Sequence, residues 1–181
     1  MELQAIIHDM VTASPILVSY EESLLRAESQ LEEVVNGELH IMPPASVPHN
    51  RLMRRIQAEI DRQLDSRLDL IWDTGFLISE RPLRYRIPDL AIVERANSLW
   101  ENIEGRDPYL RTSPFAVIEI LSPANRKGEA AQLLQDYVDL GTAEIIFINP
   151  EKQTVTINGK TITGDKVIVA GVVLSLRELC R

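Results

Sequence analysis

Between His49 and about Arg67 the apolar residues Leu52, Met53, Ile56, Ile60 and Leu64 recur at three- and four-residue spacing, which predicts a long amphipathic helix. Arg51, Arg54, Arg55 and Arg62 fall largely off that stripe, which gathers arginines near the helix start. A second stripe, Ala130, Leu133, Leu134, Tyr137 and Val138, predicts another helix near Arg126–Leu140, with Gly141 as its stop. Short apolar runs at Leu70–Asp73, Phe76–Ser79, Asp89–Val93, Phe115–Leu121 and Ile145–Ile148 read as strands. Two Asn-Gly dipeptides predict hairpins, because this pair tolerates the positive φ angles of a type I′ turn. Asn36-Gly37 joins Val34-Val35 to Leu39–Ile41, and Asn158-Gly159 joins Thr154–Ile157 to Lys160–Thr163. Short helices are expected at Tyr20–Gln30, where early acidic residues complement the helix dipole, and at Leu176–Cys180. The strand, helix, strand order around the second long helix predicts a crossover on a mixed sheet. The expected class is α/β, a mixed sheet flanked by helices, with an N-terminal and a C-terminal β-hairpin.

Composition sets bounds on this picture. The chain has 181 residues, 45% apolar and 25% charged, which suits one domain with its own core. No repeat, low-complexity tract or Gly/Ser-rich linker divides it. A formal net charge of -8 excludes a uniformly basic surface, so any nucleic acid must meet locally clustered cations. The single cysteine, Cys180, has no internal partner for a disulfide. The first residues, MELQAIIHDM, carry acid early, and no apolar run approaches the ~18 residues of a membrane span. A soluble cytoplasmic protein with no membrane segment is the expectation.

The segment Phe115-Ala116-Val117-Ile118-Glu119-Ile120-Leu121 carries the strongest chemical signal, because a carboxylate interrupts an apolar run suited to a strand buried on both faces. An unpaired buried carboxylate is prohibitive. Glu119 must therefore be protonated, paired with a cation, bound to a metal, or placed where the strand opens on a polar cleft. The bland alternative is an edge strand on which Glu119 faces water. Asp89 follows Pro88 at the start of another strand, a position that by itself is ordinary turn chemistry. Two acids converging from neighbouring strands make a better case, since hard divalent ions prefer oxygen ligands.

Ile87-Pro88-Asp89-Leu90, followed about 30 residues later by Ile118-Glu119-Ile120-Leu121-Ser122-Pro123, resembles the PD-(D/E)xK nuclease superfamily. Further motifs narrow the resemblance: Glu33 with Asn36-Gly37-Glu38-Leu39, Pro43-Pro44-Ala45-Ser46 before His49, Arg126-Lys127-Gly128-Glu129, Asp136-Tyr137, Gly141, Asn149-Pro150 and Val173–Leu179. Together they are similar to the Uma-two family of restriction-endonuclease-like proteins, from roughly Val18 onward. An N-terminal extension, 1–17, then precedes a single restriction-endonuclease-like domain, 18–181.

The resemblance implies Mg²⁺, or Mn²⁺, held by Asp89, Glu119 and the backbone carbonyl of Ile120, and hydrolysis of DNA phosphodiesters. It makes Glu33 an additional acid near the site and places a family histidine at His49. His49, Arg51, Arg54, Arg55 and Arg84 are the candidate DNA contacts, with Arg81 and Arg86 close by. Without a second His or Cys at ligand spacing, His49 suits a helix-start or phosphate contact better than a transition-metal site. Both positions where the resemblance calls for lysine are apolar here, Leu121 and Leu133. Arg126 or Lys127 is the candidate substitute, although arginine stabilises phosphate charge without acting as a base. A degenerate nuclease fold serving as a nucleic-acid-binding or protein-interaction module is the alternative, and an enzyme acting on another phosphate ester is a third reading. Folds of this kind pair their sites for two strands, so a homodimer is expected.

Overall fold

The computed structural model describes residues 15–26, 32–42, 44–98, 109–121 and 128–179. In chain order its elements are α1 (Tyr20–Arg26), β1 (Glu32–Val35), β2 (Glu38–Ile41), α2 (Val47–Asp61), β3 (Leu68–Ile71), β4 (Gly75–Glu80), β5 (Leu83–Arg86), β6 (Leu90–Glu94) and α3 (Arg95–Ser98). They continue with β7 (Tyr109–Leu110), β8 (Ala116–Ile120), α4 (Glu129–Leu140), β9 (Glu144–Asn149), β10 (Thr154–Ile157), β11 (Lys160–Thr161), β12 (Lys166–Val169), β13 (Val172–Ser175) and α5 (Leu176–Leu179).

The expected mixed α/β architecture is present, with its strands divided among sheets. Six strands form the central sheet in the order β11-β10-β9-β8-β6-β3, and five form a second in the order β2-β1-β5-β4-β7. β8 and β9 are parallel and α4 lies between them in sequence, the crossover that the strand, helix, strand pattern predicts. The remaining pairs of the central sheet are antiparallel.

Alternation along the central strands divides the core into two layers. Leu90, Ile92, Ile118, Ile120, Ile146 and Ile148 pack with Leu52, Ile56 and Ile60 of α2. Their neighbours Ala91, Val93, Val117, Ile145 and Phe147 pack on the opposite face with Leu133, Tyr137 and Leu140 of α4 and with Phe76 of β4. Each fully buried branched side chain contributes roughly 1.5–3 kcal/mol relative to exposure, so these two layers fix the helices on the sheet. A third cluster, Val18, Val34, Leu83, Tyr85 and Tyr109, closes the second sheet.

Both Asn-Gly turns form as expected, with φ of 52° and 83° at Asn36 and Gly37, and 49° and 77° at Asn158 and Gly159. The helix expected to reach about Arg67 ends at Asp61. The N–H groups of Gln63 and Leu64 both donate to Ile60 O, and Asp65 Oδ1 then accepts from Arg67 N at 2.8 Å, forming a turn into β3. Leu64 still packs partly against the core, so the apolar stripe outlasts the helix that carries it. On α4 the stripe is rotated from the expected one: Val138 is exposed, whereas Asp136 is buried. Strand β5 and the β12–β13 hairpin have no counterpart in the sequence reading. No helix among the described residues is long and apolar enough to cross a membrane.

Candidate active site

Strand alternation decides where Glu119 points. Val117 lies in the layer against α4, so Glu119, two residues on, shares that face of β8. β8 is interior, between β6 and β9, which removes the edge-strand alternative. Leu90 pairs with Ile118, the last pair of the antiparallel β6–β8 ladder, and Asp89, immediately before β6, thereby comes beside Glu119.

Both carboxylates are anchored. Asp89 Oδ2 accepts the N–H of Ile120 at 2.7 Å, and its Oδ1 lies 3.0 Å from His49 Nε2. His49 stands in the first turn of α2, where its own N–H donates to Oγ of the N-cap residue Ser46 at 3.3 Å. The Tyr137 hydroxyl, carried on α4, donates to Glu119 Oε1. Two helices and two strands therefore converge on one pair of acids.

Burial pushes the Glu119 carboxyl well above the usual carboxylate range and the charge of Asp89 adds to this, while the Tyr137 hydrogen bond opposes it. Burial raises Tyr137 in the same way, with Glu119 as the next cause, so the phenol stays a donor. His49 is raised mainly by its hydrogen bond to Asp89, against the effect of burial. In metal-free protein the folded chain therefore holds a proton on Glu119 at pH values where the unfolded chain has released it. Stability falls as pH rises from the ordinary carboxylate range toward the raised folded value of Glu119. Glu119→Gln removes that dependence while keeping an acceptor for Tyr137. In thermal melts with EDTA the variant is expected to exceed wild type at about pH 8, with the difference shrinking toward about pH 4; an equal difference at both pH values would contradict this.

Beside the pair lies a buried ion-pair network. Arg86 on β5 donates from Nη1 to Glu33 Oε2 at 2.7 Å and from Nε to Asp136 Oδ2 at 2.7 Å. Glu33 on β1 accepts the Ile87 N–H through its other oxygen at 2.8 Å. Arg84, two residues before Arg86 and on the same strand face, reaches Asp136 Oδ1 at 3.3 Å and Asp139 Oδ2 at 2.8 Å. Gln132 adds a donor to Asp136 Oδ1 at 3.0 Å. Burial raises the Glu33 carboxyl, with Arg86 and the Ile87 N–H pulling it back.

The sequence-expected residues divide by location. Asp89, Glu119 and His49 come together, and Glu33 stands behind them with both oxygens engaged by Arg86 and Ile87. Arg51 and Arg54 are exposed on α2, and Arg55 Nη1 donates to Leu179 O at 3.3 Å. Arg84 faces α4 through its two acids. Arg126 and Lys127 lie outside the described residues, as does the part of the first expected helix beyond Arg26.

As metal donors the site offers two carboxylates and the main chain of Ile120. No group of three or more His, Cys, Asp or Glu side chains arranged to hold a metal occurs among the described residues. Two carboxylates suit Mg²⁺, which keeps several waters and commonly takes only one or two protein carboxylates. The repulsion between Asp89 and Glu119 is the kind that a divalent cation relieves.

A family model, Uma2, described as "Putative restriction endonuclease", matches residues 18–175. The chain belongs to the Uma2 family. Among solved structures it is similar to "a putative nuclease belonging to DUF820" from Anabaena variabilis, with a TM-score of 0.73 and 17% identity over 90% of this chain and 97% of that one. That likeness shows that the two chains share a fold. No curated protein matches the chain. Of the two positions where the sequence resemblance calls for lysine, Leu133 is buried on α4 one turn before Tyr137, in the layer with Val117 and Phe147, and Leu121 packs against the same cluster. The site contacts of Tyr137 and Asp136, read in the sequence only as helix and motif residues, and of Arg86, read only as a cation close to the candidate DNA contacts, are what sequence reasoning missed. Leu83-Arg84-Tyr85-Arg86 held the signal for the arginines, since strand alternation puts both on one face, but no strand was expected there.

Proposed function

We propose that this Uma2 protein is a divalent-metal-dependent endonuclease that hydrolyses DNA phosphodiester bonds with Mg²⁺, or Mn²⁺, held by Asp89, Glu119 and the Ile120 carbonyl. The observation that carries this reading is the juxtaposition of Asp89 and Glu119 at two neighbouring core strands of this fold, each fixed by its own hydrogen bond. The ion, when bound, would lower the pKa of a water and offset charge on the phosphate. Asp89 is oriented by the Ile120 N–H and His49, and Glu119 by Tyr137, so neither has to be ordered when substrate arrives. Arg51 and Arg54, exposed on α2 just after His49, supply local positive charge in a chain whose formal net charge is -8. Arg84, engaged by Asp136 and Asp139, is less suited to that task. A homodimer would bring two such sites to the two strands of a duplex.

A specific observation favours a second reading. Both lysine slots are filled by leucine, and Leu133 is part of the packed core, which suits a nuclease fold kept for binding. Incubation of supercoiled plasmid with the full chain, Mg²⁺ or Mn²⁺ and low salt separates the two. Metal-dependent nicking is expected; retained Mn²⁺ binding with no nicking would move the conclusion to the second reading. Turnover of a small phosphodiester without action on plasmid would select a different phosphate ester as substrate.

A further inference from the structure

Arg86 stands where the supports of the acid pair meet. Its guanidinium joins Glu33 on β1 to Asp136 on α4, at 2.7 Å and 2.6 Å, and all three side chains are buried. Each of these acids leads on to one carboxylate of the candidate metal pair. Glu33 also accepts the Ile87 N–H, two residues ahead of Asp89. Asp136 immediately precedes Tyr137, whose hydroxyl donates to Glu119. One side chain thus ties the backbone leading into Asp89 to the helix that holds Glu119. Stability alone is a poor reason for such a cluster, because apolar residues of the same shape commonly serve a core as well as a buried ion-pair chain does.

We propose that Arg86 is a positioning residue for the Asp89–Glu119 pair, fixing Ile87–Asp89 through Glu33 and the seating of Tyr137 through Asp136, so that both carboxylates are presented together to a divalent cation. This rests on the metal-site reading above and names the residue that builds that site. Positioning and charge make opposite predictions. A guanidinium acting only as a nearby positive charge repels a metal ion, so its removal would tighten metal binding. A guanidinium that positions the ligands weakens binding when it is lost.

The test is Mn²⁺ affinity of the full chain, read from the electron paramagnetic resonance signal of free Mn²⁺ at a temperature where circular dichroism shows each variant folded. Arg86→Lys keeps the charge but lacks the fork that spans two carboxylates. It is expected to weaken binding about tenfold, and Arg86→Met up to about a hundredfold, the range for residues that orient metal ligands. A second pair serves if the Arg86 variants do not fold. Asp136→Asn and Asp139→Asn each remove one negative charge beside Arg84, but only Asp136 touches Arg86. Weakening about tenfold in Asp136→Asn alone is expected; equal effects in the two would overturn the proposal. So would Arg86 variants that bind Mn²⁺ as tightly as wild type or more tightly, whatever their melting temperatures. If wild type takes up no Mn²⁺, or Asp89→Asn leaves uptake intact, the metal-site reading itself fails and the role of Arg86 fails with it. Uptake that needs Asp89 but not Arg86 overturns the role of Arg86 alone.

Discussion

Asp89→Ala and Glu119→Ala are each expected to abolish metal-dependent nicking of supercoiled plasmid, a loss of at least about a hundredfold. A bound metal supplies several kcal/mol of charge stabilisation, and each 1.36 kcal/mol is about a factor of ten in rate. Among the described residues, the acids beside the pair are already engaged: Glu33 is held by Arg86 and Ile87, and Asp136 by Arg86, Arg84 and Gln132. The two substitutions differ in what they leave behind. Asp89→Ala takes away the acceptor for the Ile120 N–H and the partner of His49, so it loosens the start of β6 as well. Glu119→Ala also leaves the Tyr137 hydroxyl without its acceptor, so Glu119→Gln, which keeps one, is the variant expected to lose activity without losing metal-free stability. Nicking that persists in Glu119→Ala would place the chemistry elsewhere in the chain.

Arg86→Met is expected to cost about 3–5 kcal/mol of folding stability, the range for removing one partner of a buried ion pair. Glu33 and Asp136, at 3% and 1% side-chain exposure, keep their charge or take up a proton without the cation that held them. For a chain of this size the melting midpoint falls by roughly 10 °C. Arg111, which pairs with Glu80 across an exposed surface, provides the contrast: Arg111→Met is expected to change stability by less than about 1 kcal/mol. Urea unfolding of the three proteins measures the difference. An Arg86 variant as stable as the Arg111 variant would show that the network is not held as a unit.

The two long helices, the two Asn-Gly hairpins and the strand carrying Glu119 were legible because each has a local cause: a periodic stripe, a turn dipeptide, an apolar run. Glu119 was legible for a related reason, since a charge inside such a run demands a partner whatever the fold. Asp89 gained its meaning from that partner and from the resemblance. Contacts that join elements distant in sequence were not legible. Arg86 reads as one more arginine before a proline until β5 forms and turns it toward Asp136, 50 residues away. Asp136 reads as the polar side of a helix until Arg84 and Arg86 draw it inward and leave Val138 outside. Tyr137 looked like core, and its ring is core; the hydroxyl at its end finds Glu119 only once α4 crosses β8. The β12–β13 hairpin, beyond the expected Asn158-Gly159 one, was missed because its turn is Ala170-Gly171, with the alanine at a φ of 50° that its residue type does not advertise.

The measurement that bears most directly on the central claim is a calorimetric titration of Mn²⁺ into the full chain and into Glu119→Gln, in buffers of different ionisation enthalpy. A raised Glu119 that becomes a metal ligand must give up its proton, so wild type is expected to bind the ion with buffer-dependent proton release that the variant lacks, along with much of the affinity. No uptake by wild type, or identical uptake by the two proteins, would contradict a metal site built on Asp89 and Glu119.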